Sequence, residues 1–205
     1  MSTNRLETFA DGVFAIAATL LILNVDAQVG EGSGEIGKRL LEIWPSYIGY
    51  AVSFVTIGII WSNHHTVMGQ LGKVDRTFLM LNILLLMCVA FLPFPTRLVA
   101  EHLRDRHDLQ PAAFAYGATM TATAICYITL WLYASRRGRL LRDGYNPRTV
   151  SGITRTYLPG APLYATATLL AFASPLVSVA IFGGIALFYV VESSIFGGAA
   201  TEPVS

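Results

Sequence analysis

The residues with chemical potential lie where an apolar helix should be. Arg5, Glu7 and Asp11 lead straight into the uncharged run 12–25. That run has fourteen residues, short of the roughly 20 that cross a bilayer core as a helix. A spanning helix must therefore take its first turns from the charged stretch, which puts Asp11 inside it. An ionisable group at membrane depth is costly unless paired or wetted, so Asp11 is a candidate functional or organising site.

A second cluster, Trp61-Ser62-Asn63-His64-His65, reads as the cytoplasmic end of the second helix, on the same membrane side as Asp11. His64 or His65 can donate a hydrogen bond to the Asp11 carboxylate, and the Trp61 indole N–H needs an acceptor. Asn82, early in the third helix, shares that side. The cluster can serve as a structural clamp, a proton relay or a metal site. Adjacent histidines point about 100° apart on a helix, so they do not make the one-face i, i+4 pair of helical zinc sites. The clamp is the preferred reading, and no metal is expected. A membrane metalloenzyme using His64, His65 and Asp11 ranks last. The chain has no phosphate loop, dinucleotide fingerprint, HExxH or GxSxG, so neither a cofactor nor enzymatic activity is expected.

The helix that carries Asp11 sorts into two sides at about 100° per residue. Ile16, Leu20 and Leu23 form one stripe, with Gly12 below and Thr19 on its flank. Asp11 falls about 140° from Ile16 by that geometry, together with Phe14, Ala18, Leu21 and Val25. Since Asp11 cannot face lipid cheaply, its side must pack on protein. Ala10, Ala15, Ala17 and Ala18 permit close helix approach there. The aliphatic stripe then faces lipid, another helix, or a symmetry axis shared with other subunits.

The remaining elements follow from where charge is missing. Of 205 residues, 54% are hydrophobic and 13% charged, against about 25% charged in an ordinary soluble domain. Charge-free intervals at 12–25, 43–72, 77–96, 109–135 and 156–191 mark an all-α integral membrane protein. The last interval is too long for one pass, and Ser174-Pro175 is its natural break. Six transmembrane helices are expected, at about 5–25, 43–62, 77–95, 111–134, 155–173 and 175–196. They form a single domain over 1–196, with a short tail at 197–205. Pro93-Phe94-Pro95 reads as the end of the third helix, and the stretches 26–42 and 135–154 as the longest loops. Cys88 and Cys126 lie within apolar spans and read as small buried residues.

Orientation follows from Lys and Arg on alternate sides of six passes. Arg5, Lys73, Arg76, Arg136, Arg137, Arg139, Arg142, Arg148 and Arg155 face Lys38, Arg39, Arg97, Arg104 and Arg106. The positive-inside tendency makes the first set, and both termini, cytoplasmic in the plasma membrane. The basic loop 136–155 reads as a topology signal beside anionic lipid, with no nucleic acid expected.

At Arg5-x-x-x-Phe9-Ala10-Asp11, followed by Gly12-Val13-Phe14-Ala15-Ile16-Ala17-Ala18-Thr19-Leu20, the chain resembles the prokaryotic branch of the transmembrane protein 175 family of potassium channels. That family's first helix opens with an Arg-x-x-x-Phe-Ser-Asp motif, and Ala10 stands here in place of the serine. Trp61 and the His64-His65 pair also look like the family's second-helix end. The resemblance implies a homotetramer in the lipid bilayer, with the first helices lining a central pore and potassium ions as the permeant species. It implies Ile16 as the principal constriction, Leu20 and Leu23 as further pore-facing layers, and Thr19 as the hydroxyl behind potassium preference. Arg5, Phe9 and Asp11, with Trp61, His64 and Asn82, would form a network behind the pore. The resulting expectation is a potassium-preferring cation channel. The rival expectation is a proton-linked secondary transporter or proton pathway using Asp11 and His64.

Overall fold

The computed structural model describes residues 3–25 and 36–196. Gly30, Gly32 and Gly34 of the first expected loop, and the expected tail 197–205, lie outside the described residues. The regular elements are nine α-helices among the described residues. They are α1 (Thr3–Leu20), α2 (Ile36–Glu42), α3 (Trp44–Met68), α4 (Arg76–Phe91), α5 (Pro93–His102), α6 (Arg106–Ser135), α7 (Pro147–Tyr157), α8 (Gly160–Leu169) and α9 (Pro175–Phe196). Four helical stretches are long and apolar enough to cross a membrane: Thr3–Asn24, Trp44–Met68, Arg76–His102 and His107–Gly138. The fold is all-α, as expected, and α1 tightens into a 3-10 turn over Leu21–Asn24.

Local chemistry sets the helix starts. The Asp75 carboxylate accepts from the Phe78 amide at 2.9 Å and begins α4. Asp105 accepts from the His107 amide at 3.0 Å and begins α6. Asn146 accepts from the Arg148 amide at 2.9 Å ahead of Pro147, the first residue of α7. Each is an Asp or Asn side chain satisfying a first-turn amide that has no partner within the helix.

Two boundaries differ from expectation. The third helix does not end at Pro93-Phe94-Pro95, because α5 starts at Pro93 directly after α4 and runs to His102. Pro93 and Pro95 occupy the first turn of α5, where backbone N–H groups have no helical partner to lose. The two segments stay joined, with Thr96 Oγ1 donating to the Leu92 carbonyl at 2.9 Å and pairing with Ser53 Oγ on α3 at 2.8 Å. The stretch 135–154 is not all loop, since α7 occupies its second half. The fifth expected span, 155–173, is likewise divided, with α7 ending at Tyr157 and α8 starting at Gly160.

The core centres on α6, which packs against α4, α5, α8 and α9. Gly117 is the close-approach point, where an added Cβ would lie 2.5 Å from Thr168 Oγ1 and 3.0 Å from the Phe182 ring. Ser178 of α9 is fully buried and donates to the Ala167 carbonyl of α8 at 2.7 Å. At the end of the bundle where α1 begins, the segments after α3 and α6 are latched together. The Gly72 amide donates to the Leu140 carbonyl at 3.0 Å, and the Arg142 amide to the Gln70 carbonyl at 3.0 Å. Asp75 adds to this latch, accepting from the Tyr133 hydroxyl at 2.7 Å and pairing with Arg139 at 3.1 Å.

Candidate functional site

α1 packs on α3 and α4, and a ladder of polar contacts runs along its seam with α3. Glu7 Oε1 lies 2.8 Å from His65 Nδ1. One turn further along α1, the Trp61 indole donates to Asp11 Oδ1 at 2.8 Å. Glu7 and Asp11 are four apart, as are Trp61 and His65, so each pair shares a helix face. The reversed order of partners makes the two helices antiparallel.

Deeper in the protomer, the Phe14 ring tilts over His64 with centroids 5.4 Å apart. His64 Nε2 lies 2.8 Å from Asn82 Oδ1 on α4. Phe14, His64 and Asn82 are all buried. With the amide oxygen as acceptor, Nε2 carries the imidazole proton and Nδ1 is bare. Nδ1 is buried without a protein partner. At the other end of α1, Asn24 Nδ2 donates to the Pro93 carbonyl at 2.8 Å. The first helix is thus fixed at both ends and along one side.

The expected contact between Asp11 and a histidine is replaced by three others. Trp61 holds Asp11, while His65 takes Glu7 and His64 takes Asn82. The reason is angular: Trp61 and His65 share the face toward α1, and His64 lies about 100° around from His65. The Glu7–His65 contact was not anticipated, although the matched i, i+4 pairs in the two helices were its signal. Arg5 and Phe9, assigned to the same network, do not join it within one protomer. Both are exposed, and at about 100° per residue they fall in line with Ile16, Leu20 and Leu23, away from Asp11. Ala10, between Phe9 and Asp11, is completely buried in the α1 interface with the bundle.

The buried face of α1 is Leu6, Ala10, Phe14 and Ala17, continued by Leu21 in the 3-10 turn. Its opposite face stands open in the isolated protomer, with Ile16 61%, Leu20 42% and Leu23 68% exposed. Thr19 lies on this open side and donates back to the carbonyls of Ala15 at 2.9 Å and Ile16 at 3.0 Å. Its hydrogen is committed to the helix, which leaves the hydroxyl oxygen to act as an acceptor. Beside the stripe, Asp11, Ala15, Ala18, Phe54, Gly58 and Trp61 line an open cleft of about 520 Å³. Among the described residues, no group of three or more His, Cys, Asp or Glu side chains could hold a metal ion.

A family model described as the endosomal/lysosomal potassium channel TMEM175 matches residues 5–93, which include the α1–α3 seam and Asn82. A potassium channel of Streptomyces collinus is 40% identical over 191 residues, covering 91% of both chains. The chain belongs to the TMEM175 family. The crystal structure of a lysosomal potassium-selective channel TMEM175 homologue from Chamaesiphon minutus superposes with a TM-score of 0.82. That homologue is 36% identical, with 93% of this chain and 97% of the other covered. The human endosomal/lysosomal proton channel TMEM175 is 31% identical over 186 residues, which is 85% of this chain but 36% of the human protein. These TMEM175 relatives are named as channels, which identifies the chain as a membrane protein of a non-enzymatic family.

Proposed function

We propose that the chain is the subunit of a potassium-preferring cation channel in the plasma membrane. Four copies surround a central pore lined by α1, and both termini are cytoplasmic. The six passes are α1 with its 3-10 extension, α3, α4 with α5, α6, α8 with the turn after it, and α9. They form one transmembrane domain over 1–196, followed by a tail at 197–205.

The observation that carries this reading is the asymmetry of α1. One side is held by Trp61, His65, His64 and Asn82 through Asp11, Glu7 and Phe14. The other side leaves Ile16, Leu20 and Leu23 largely exposed among the described residues. A ring of four branched aliphatic side chains excludes water and gates by dewetting, so a small rotation or tilt of α1 opens or closes the path. Thr19, with its oxygen free to accept, is the group in this stretch that can exchange with an ion's hydration water. Aliphatic rings cannot replace a hydration shell as carbonyl rings do, so the potassium preference is modest. The test is reconstitution into vesicles under a potassium gradient, reading flux and reversal potential. Absence of potassium flux from folded protein would refute the proposal.

A second reading, a proton pathway, draws on the bare, buried Nδ1 of His64 and the nearby Asp11. The name of the human relative, a proton channel, favours it. The two readings separate on Asp11→Asn. The indole of Trp61 can still donate to the Asn oxygen, so a potassium channel keeps its ion flux, whereas a proton pathway through Asp11 loses all transport.

A further inference from the structure

The segment between α6 and α8 looks like a topology signal in the sequence, yet its second half is a folded, two-sided helix. On α7, Val150, Ile153 and Tyr157 pack against the hydrophobic core. The Trp131 indole, itself fully buried, donates to Thr154 Oγ1 at 2.8 Å and fixes the helix to α6. Arg148 and Arg155 are seven residues apart, so they share one face, roughly 180° from that apolar edge at about 100° per residue. Both are exposed. Arg136 and Arg137, at the adjoining end of α6, are exposed as well. None of these four arginines makes an ion pair among the described residues, whereas Arg139 is engaged by Asp75. Arg137 has a left-handed backbone (φ 58°), and Gly138 follows with φ 68°. The turn is held by Tyr145, whose ring would lie 2.9 Å from a Cβ on Gly138.

Depth is set by the next residue along. Leu158, directly after α7, is a large exposed apolar side chain, and the chain then enters the apolar α8. Arg155 therefore lies about one helical turn ahead of that apolar stretch, roughly 5 Å along the helix at 1.5 Å per residue, a distance from which a long arginine side chain reaches lipid phosphates. Arg148 lies two turns earlier on the same face and continues the basic edge.

We propose that the outer face of α7, with Arg148 and Arg155 as its centre, is a binding site for the headgroups of anionic phospholipids. Two guanidinium groups without an ion-pair partner among the described residues match phosphate in charge and in fork geometry. The fixed turn and the Trp131 anchor mean that little ordering is lost on binding. The opposite edge of α7 reaches α3. The Tyr157 hydroxyl donates to Asn63 Oδ1 at 3.2 Å, and Asn63 precedes His64, which is part of the clamp on α1. The site stands whichever ion the protein passes.

The test is native mass spectrometry of the detergent-purified full-length protein, equilibrated with equal amounts of phosphatidylglycerol and phosphatidylcholine. The native chain retains phosphatidylglycerol in preference, and Arg148→Gln and Arg155→Gln each lower that preference about fivefold. The double Lys variant, which keeps the charge, retains most of it. Comparable circular dichroism of the Gln variants establishes that they are folded. Equal retention of the two lipids by the native chain, or an undiminished preference in the folded double Gln variant, would overturn the proposal. So would nucleic acid, released by nuclease, accounting for the occupancy of these arginines.

Discussion

The Trp61 indole N–H donates to Asp11 Oδ1 over 2.8 Å, and this bond joins the second spanning helix to the first at the point where the first carries a charge. It explains how a carboxylate is tolerated in an apolar helix. It also explains direction: with Asp11 turned toward α3, the stripe of Ile16, Leu20 and Leu23 must point away from the protomer.

Replacing Trp61 with Phe keeps the ring and removes the donor. A hydrogen bond to a charged group contributes about 1.5–3 kcal/mol, and this pair is partly exposed, so the lower end applies. Trp61→Phe should lower the thermal midpoint of the purified protein by a few degrees, read by gel filtration of heated samples. Asp11→Asn, which retains an acceptor oxygen, should lower it less.

The buried His64–Asn82 pair makes a stronger prediction. Asn82→Leu leaves the buried His64 Nε2 without its acceptor. Stranding a buried donor costs about 1–3 kcal/mol. Asn82→Asp keeps an acceptor for that donor and should be better tolerated than Asn82→Leu in the same heating experiment.

Much of this was legible in the sequence, and the limits are physical. Charge-free intervals located the long helices, since an uncompensated charge in hydrocarbon is too costly to be common. The separation of Asp11 from the Ile16 stripe followed from helical period alone. What misled was chemistry that depends on position within a helix. Pro93 and Pro95 look like a stop, yet in a first turn they cost nothing. The arginine-rich stretch 136–155 looks like a loop because α7 buries a narrow edge of Val150, Ile153 and Tyr157. Which side chain would meet Asp11 depended on the relative rotation of α1 and α3, which the sequence of neither helix contains.

The latch at Asp75 should make stability pH-dependent. The Phe78 amide, then the Tyr133 hydroxyl and the Arg139 guanidinium, hold the Asp75 carboxyl below the usual carboxylate range. A carboxyl with a lowered folded pKa stabilises the fold above its unfolded pKa, near 4 by ordinary values. That contribution is lost as pH falls through the folded pKa. Wild-type thermal midpoints should therefore drop as pH falls below about 4. Asp75→Asn should start lower at neutral pH and lose less on acidification.

Gly117→Ala tests the close packing of α6 on α8 and α9. The new methyl would lie 2.5 Å from Thr168 Oγ1, and over-packing of this kind costs about 1–3 kcal/mol. Pairing it with Thr168→Ala, which removes the Oγ1 at that contact, should recover part of the loss in a thermal melt.

Thr19→Val keeps shape and removes the outward oxygen. The potassium to sodium permeability ratio, read from reversal potentials in mixed-ion gradients, should fall, with total conductance changed less than the ratio.

Single-channel recording in planar bilayers under a potassium gradient, comparing the native chain with Ile16→Asn, decides whether the exposed stripe of α1 lines and closes a potassium path. A polar side chain wets the constriction, so the variant should show larger or longer openings, with a reversal potential still on the potassium side. Native and variant currents that match, or no potassium current from either folded protein, would contradict the account.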